Sequence, residues 1–311
     1  MKDRKIIVQI SEGLGNQLFM YAHALSLSES LNRKLEIDNT TGYKRKKNLL
    51  RKHQQYSLNN FNLSAPLAND DFLINNNYYN LLKKLFLFID IFKKKKTFYI
   101  EIKKKINGFK VVNQLTKFDN NELDDKIYIL GNFENSKYFN NIRSKLLRDF
   151  TLKNQYIDFN NPLINKLKDS NSISIHIRRD RFSDQIGYES EVLKEQSIKF
   201  TNEIIEYINR AVLFFNNKIN NPHYFLWTNN MDQIENLSKK INVANLTFVK
   251  SYNDINDFNL FKYSKHFIVG PSSFHWWGAW LNEYKDKICV RPSNLNPSNN
   301  VNFWPDEWIS L

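Results

Sequence analysis

Between residues 172 and 291 the chain returns repeatedly to short apolar runs: "SISIHIRR" (172–179), "HYFLWT" (223–228), "LTFVK" (246–250), "HFIVG" (266–270) and "KICVR" (287–291), separated by segments of helical periodicity. Runs this short and this apolar suit strands covered on both faces, and alternation with helices places such strands in parallel sheets. The first half opens the same way, with a strand over 6–10, a helix over 16–32 and a strand over 34–38. A long basic, Asn-rich stretch then runs to about 110 and holds a helix near 78–93. "IYILGNF" (127–133) returns to a strand, followed by a helix over "SKYFNNIRSKLLRDF" (136–150). After "FNNPL" the pattern starts again, and no internal repeat is visible. A chain of 311 residues, 41% hydrophobic, can bury two cores. The predicted architecture is α/β, with two Rossmann-like domains over 1–157 and 158–311, joined near 155–162.

The formal net charge of +13 admits nucleic acid, an anionic membrane surface or a phosphorylated substrate as partner. Much of the excess is lysine among asparagines, as in "YKRKKNLLRK" (43–52) and "FKKKK" (92–96). A nucleic-acid surface interleaves aromatics with Arg and Lys, so a basic nucleic-acid-binding protein is the lesser alternative and no nucleic-acid partner is expected. The single cysteine, Cys289, excludes an internal disulfide framework and a cysteine metal cluster. With no apolar leader after Met1 and no run of eighteen apolar residues, the expected location is cytoplasmic, soluble or peripheral. "LLKKLFLFIDIFKKKK" (81–96) is the segment expected to touch an anionic membrane, with core packing of its helix as the competing reading.

Ligands of doubly wound sheets bind beyond the C-terminal ends of the strands, and three unusual motifs fall there. In "GLGNQLFMYA" (13–22), a strand, a tight turn and a helix follow one another, with Gly13 and Gly15 giving the backbone freedom and leaving room for a ligand. A dinucleotide fingerprint would need glycine at Leu18, although Asp38 imitates its ribose-binding acid, so a dehydrogenase is disfavoured. Asn16 and Gln17 bring amides able to hydrogen-bond a sugar or a phosphate. In "SIHIRRDRFSD" (174–184), Ser174, His176 and Arg178 share one strand face and Ile173, Ile175 and Ile177 the other. Arg178 and Arg179 suit the oxygens of a diphosphate, or else a structural ion pair with Asp180 or Asp184. In "GPSSFHWWGAWL" (270–281), Ser272 and Ser273 can cap a helix and hold an anion, or cap it and do nothing more, while Phe274, Trp277 and Leu281 have core spacing.

Taken in order, "GLGNQLFMYA", "IHIRR" and "SSFHWWGAWLN" resemble the bacterial α-1,2-fucosyltransferases of glycosyltransferase family 11, with their "GGLGNQ", "HxRRGD" and "SSFSWWGAWL" motifs. The resemblance extends through "NFENSKYF" (132–139), "SYNDINDFNLFKYSKHFI" (251–268) and "NFWPDEWISL" (302–311), and covers most of the chain except about 40–125. It implies a GT-B-like fold, two Rossmann-like domains with parallel sheets facing a central cleft. It also implies inverting transfer of a 6-deoxy sugar, L-fucose first, from a GDP-sugar co-substrate to a surface glycan acceptor, free or lipid-linked, with no metal or other cofactor. The absence of an Asp-x-Asp pair agrees. Arg178 is expected to neutralise the leaving diphosphate, with Arg179, Ser272 and Ser273 assisting, and by the resemblance Asn16 and Gln17 lie near the donor sugar and phosphate and His176 near the nucleotide, with Gly13, Gly15, Asn230 and Phe274 also on the donor. Asp180 stands at the glycine of the family's "RRGD" and Arg181 at its acid, so the acid's work falls to Asp180, which is named as the base, to Asp184, or to neither. The departures from the family pattern are "RRDR" for "RRGD", Glu12 for glycine, Glu134 for glutamine and His275 for serine. Their clustering at the donor site points to a divergent member, for which a colitose-type or deoxyheptose-type GDP-sugar is the alternative donor.

Overall fold

The structure, a computed structural model, describes residues 4–43, 55–69, 88–89, 92–101, 103–106, 109–112, 120–179, 182, 190–228, 234–250 and 253–311. They fall into two compact units, one of Met1–Thr151 with Ser298–Pro305 and one of Leu152–Pro297 with Asp306–Leu311.

The first unit holds a parallel sheet ordered β2-β1-β6-β3, from β1 (Lys5–Gln9), β2 (Lys34–Asp38), β3 (Lys96–Ile100) and β6 (Leu123–Leu130). Ile6, Ile7 and Val8 of the central strand are wholly buried, as a strand covered on both faces requires. Helix α1 (Leu14–Leu31) crosses from β1 to β2 and is buried on nearly all sides. It ends where Asn32 turns left-handed at φ 50°, a conformation that asparagine tolerates, and the next amide, Arg33 N–H, closes onto Ser28 O at 2.9 Å. The lysine-rich stretch predicted without strands contains β3 and the antiparallel pair β4 (Lys103–Ile106) and β5 (Phe109–Val112). The helix predicted over 136–150 is shorter than expected. Two 3-10 turns, Ser136–Tyr138 and Asn140–Ile142, precede α2 (Arg143–Asp149). Of the helix predicted near 78–93, residues 78–87 and 90–91 lie outside the described residues.

The second unit is a six-stranded parallel sheet ordered β12-β11-β10-β7-β8-β9. Its strands are β7 (Asn171–Ile177), β8 (Pro222–Thr228), β9 (Leu246–Phe248), β10 (His266–Ile268), β11 (Cys289–Arg291) and β12 (Ile309–Ser310). The chain lays β7, β8 and β9 outward in one direction and then returns to place β10 on the other side of β7. The order therefore reverses between β7 and β10, which is where doubly wound sheets open a crevice at their C-terminal edge. The alternation in β7 holds: Ile173, Ile175 and Ile177 are 0–1% exposed and pack with Ile204, Tyr207, Ile208 and Phe215 of α4 (Glu191–Lys218). Before β7, α3 (Pro162–Asp169) starts with Pro162 in its first turn and the Asn161 side chain accepting from Leu163 N–H, a standard helix start. Beyond α5 (Ile234–Ser238), α6 (Asp254–Phe261) and α7 (Ser273–Leu281) lie together. Gly278 permits this, since a Cβ there would come within 2.6–2.8 Å of the Phe261 side chain.

Candidate active site

The switch point of the second unit is built by β7 and by the junction of β10 with α7. His176 is the second-last residue of β7, and Arg178 and Arg179 follow the strand end, partly exposed. A Cβ added at Gly270 would lie 3.2 Å from the His176 carbonyl oxygen, so the chain leaving β10 passes close over the end of β7. The His176 ring sits 5.7 Å from Phe274, 5.7 Å from His275 and 6.3 Å from Phe261, measured between ring centroids. Burial, with the charge of Arg178 adding to it, pushes His176 down to about 3. The imidazole is therefore neutral at physiological pH, and it can recognise a ligand by stacking and hydrogen bonding rather than by charge. His275, fully buried, is also held neutral by burial, and its Nε2 lies 2.8 Å from Ser174 Oγ. This contact fixes the histidine that stands where the family motif has serine.

Ser272 is the N-cap of α7 by position, but its hydroxyl makes no capping hydrogen bond. Its carbonyl accepts from Trp276 N–H at 3.0 Å and its own N–H donates to Gly270 O at 2.7 Å. No acidic residue occupies the first turn of this helix. Ser272, Ser273 and Phe274 are each half-buried, while Trp276, Trp277 and Trp280 anchor the helix in the core. Of the three expected core residues, Trp277 is buried as expected, whereas Leu281 and Phe274 are half-buried, Phe274 facing His176, Phe258 and Phe261. The structure thus assembles His176, Arg178, Arg179, Ser272, Ser273 and Phe274 at one sheet edge. Asp180, Asp184 and Asn230 lie outside the described residues.

In the first unit the turn after β1 differs from its expected form. Gly13 is extended, at φ −82° and ψ 168°, and Gly15 lies inside α1, so neither supplies a left-handed residue. The left-handed residue is Glu12, at φ 64°. Space is what Gly13 does provide, since a Cβ there would meet nothing within 4 Å. Gln17 is wholly buried and turned inward. Its Nε2 donates to Glu12 O at 2.8 Å and to Gln55 O at 2.7 Å, and its Oε1 accepts from Ser57 N–H at 2.9 Å. Both amide hydrogens are thereby used within the protein, in place of the ligand contact expected for Gln17. Asn16 is half-buried and its Nδ2 donates to the Glu12 carboxylate. Asp38, 3% exposed, accepts the N–H groups of Thr40 and Thr41 at 3.0 Å each and also takes the Thr41 hydroxyl. It closes an Asx-type turn, which is the physical reason that its likeness to a ribose-binding acid misleads.

A parallel sheet whose strand order reverses at a switch point, with paired arginines and an acid-free helix start there, defines a doubly wound α/β protein. The sequence profile of glycosyl transferase family 11 matches residues 5–311, and the chain belongs to that family and is a glycosyltransferase. Two Escherichia coli proteins resemble it over almost their whole length. An alpha-1,2-colitosyltransferase is 24% identical over 98% of each chain, and the O-antigen biosynthesis glycosyltransferase WbnK is 26% identical over 97% of this chain and 99% of its own. Among solved structures, a variant of Arabidopsis thaliana FUT1 in complex with GDP aligns with TM-score 0.52 and 12% identity, over 94% of this chain and 71% of that one. NodZ alpha-1,6-fucosyltransferase, a Bradyrhizobium enzyme, soaked with GDP-fucose, aligns with TM-score 0.50 and 14% identity over 95% and 97%. The fold is accordingly GT-B.

Proposed function

We propose that this enzyme transfers a 6-deoxy sugar, L-fucose or its 3-deoxy analogue colitose, from a GDP-sugar to a galactoside hydroxyl of a surface glycan. The α-1,2 linkage forms with inversion and without a metal ion. The observation that carries this reading is the arginine pair at the β7–β10 switch point, beside a neutral His176 and the acid-free start of α7. The relatives, a colitosyltransferase and an O-antigen biosynthesis glycosyltransferase, support the donor class and the glycan acceptor. The complexes of NodZ with GDP-fucose and of FUT1 with GDP support guanine as the base.

In the reaction the acceptor O–H bond breaks, its oxygen bonds to the anomeric carbon, and the bond from that carbon to the diphosphate oxygen breaks. Asp180 takes the proton. Arg178 meets the negative charge that develops on the departing diphosphate, where stabilising groups act most strongly on rate. Arg179 and the Ser272 and Ser273 hydroxyls add hydrogen bonds to the same oxygens. His176 and Phe274 flank the nucleotide, Asn230 addresses guanine, and the open space above Gly13 is left for a sugar. Gln17 acts indirectly, by holding the Glu12 carbonyl and the 55–57 segment. Among the described residues no group of three His, Cys, Asp or Glu side chains could hold a metal, and no helix is long and apolar enough to cross a membrane. The acceptor is lipid-linked, and the enzyme reaches it through Phe88, Ile89 and Phe92, which are 60%, 42% and 76% exposed beside the exposed lysines Lys93, Lys94 and Lys95. A thermal-shift panel tests the donor: GDP is expected to raise Tm, while UDP, NAD and oligonucleotides leave it unchanged. Transfer from GDP-L-fucose or GDP-L-colitose should persist in EDTA. Preference for UDP, or loss of activity in chelator restored by Mg²⁺, would refute it.

A further inference from the structure

We propose that Phe182 and Ser197 are positioning residues for the arginine pair: they fasten the chain just beyond Arg178 and Arg179 to α4, so that both guanidinium groups stand ready for the diphosphate. The inference rests on the reading of these arginines as the diphosphate site.

Arg178 and Arg179 follow the end of β7, and two residues separate them from Phe182. One helix holds the chain on both sides of the pair. Before it, Ile177 of β7 is 1% exposed and belongs to the core cluster that includes Ile204, Ile205 and Ile208 of α4. After it, the Phe182 N–H donates to Ser197 Oγ at 3.1 Å, and the Phe182 ring meets the Phe200 ring edge-on, with centroids 5.7 Å apart and planes at 82°. Phe200 packs in turn against the same core cluster. The far side of the pair is thereby tied to the core that holds its near side.

The residues of α4 fit this task. Between Ile204 and Phe215 its buried stripe is largely apolar, but towards its N-terminus the buried residues are Ser197 and Thr201. Thr201 donates its hydroxyl to Ser197 O at 2.8 Å, within the helix. Ser197 Oγ instead receives a backbone N–H from another part of the chain, an acceptor that no apolar residue in the stripe could supply. A diphosphate makes such anchoring matter. The planar fork of arginine meets phosphate oxygens with paired hydrogen bonds only when correctly placed, and a displacement of about 1 Å can cost on the order of a hundredfold in rate.

The experiment compares the full-length enzyme with Ser197→Ala, which removes the acceptor, Phe182→Ala, which removes the ring, and Phe182→Tyr, which keeps it. Phe182 is 36% exposed and Ser197→Ala removes one hydroxyl, so all three variants should melt close to the native Tm. Affinity is measured by calorimetry for GDP and for guanosine, which has the same base and ribose without the phosphates. Ser197→Ala and Phe182→Ala should each weaken GDP about tenfold and lower kcat by about as much. Guanosine affinity should not change, and Phe182→Tyr should behave as the native enzyme. Trypsin gives a readout without ligand: cleavage after Arg178 and Arg179, followed by mass spectrometry, should run about tenfold faster in Ser197→Ala, whose arginine segment is unaltered. Equal weakening of GDP and guanosine, native GDP affinity in both alanine variants, or unchanged cleavage would overturn the proposal. A native enzyme that binds GDP no more tightly than guanosine would overturn instead the diphosphate reading on which it rests.

Discussion

Replacing His23 with phenylalanine should stabilise the protein, and by more in acid than at neutral pH. His23 is 4% exposed on α1, its ring stacked on Phe133 at 4.1 Å, with Tyr138 edge-on at 4.7 Å and Tyr99 at 5.8 Å. Both ring nitrogens are buried without a hydrogen-bond partner among the described residues. An unsatisfied buried polar group costs about 1–3 kcal/mol, and a phenyl ring retains the stacking while removing both nitrogens. We expect the His23→Phe protein to gain about 2 kcal/mol near pH 7.5, taking the lower end of that range for each atom. Burial also pushes His23 down to about 3, against about 6.5 in the unfolded chain. Between those values the unfolded state binds a proton that the folded state refuses, so native stability falls as pH drops through 6.5 and levels off below 3. At pH 5 the loss from this one group is about 2 kcal/mol, since each unit of difference is worth about 1.4 kcal/mol. Urea unfolding of both proteins at pH 7.5 and pH 5.0, followed by fluorescence, reads the difference. The other buried histidines are common to both and cancel. A destabilised His23→Phe protein, or a gap that does not widen in acid, would mean that the imidazole has a partner and is not a cost to the fold.

Arg178→Ala should leave the fold intact and lower turnover by about 10²–10³, by analogy with loss of one charge-stabilising donor elsewhere; a folded variant with near-native kcat would remove Arg178 from the mechanism. Neutralising Lys93, Lys94 and Lys95 to glutamine should weaken cosedimentation with anionic vesicles by about a hundredfold, since each surface lysine contributes about 1 kcal/mol. Indifference of the native protein to lipid charge would end the membrane-docking reading.

The second unit was legible because its strands are short, apolar and separated by helices, a pattern that leaves few alternatives to a parallel sheet. The Ile173, Ile175 and Ile177 stripe gave away which face of β7 meets α4. The first unit was less legible between 96 and 112, where lysines mask the strand pattern. A signal was there all the same: β4 and β5 are separated in sequence by Asn107-Gly108, a dipeptide favoured between hairpin strands. No local pattern could announce that residues 298–305 belong with the first unit. That follows from distant partners, as when Asn300 Nδ2 donates to Glu134 O at 2.9 Å and Phe303 meets Phe19 at 6.0 Å.

At the site, residue chemistry was readable and direction was not. The sequence offers two strand–turn–helix junctions of similar appearance, one entering α1 and one entering α7, and both read as anion sites. The structure separates them by what surrounds each helix start. At α7 no acid enters the first turn, the Ser272 hydroxyl makes no cap bond, and the nearby chain supplies two arginines. At α1 the residue before the N-cap is a left-handed glutamate, and the amide of Gln17, which looked available to a ligand, instead holds that glutamate's carbonyl and the segment at 55–57. An amide facing a ligand and an amide closing a loop have the same sequence neighbours, and only the position of Gln55 and Ser57 decides between them. Glu12 likewise matters more than its place in the pattern suggests. A carboxylate at a helix start already partners the field of the N-terminal amides, which leaves that start less favourable to a second anion. Two junctions built on one backbone plan therefore differ in the side chains that surround each helix start rather than in topology.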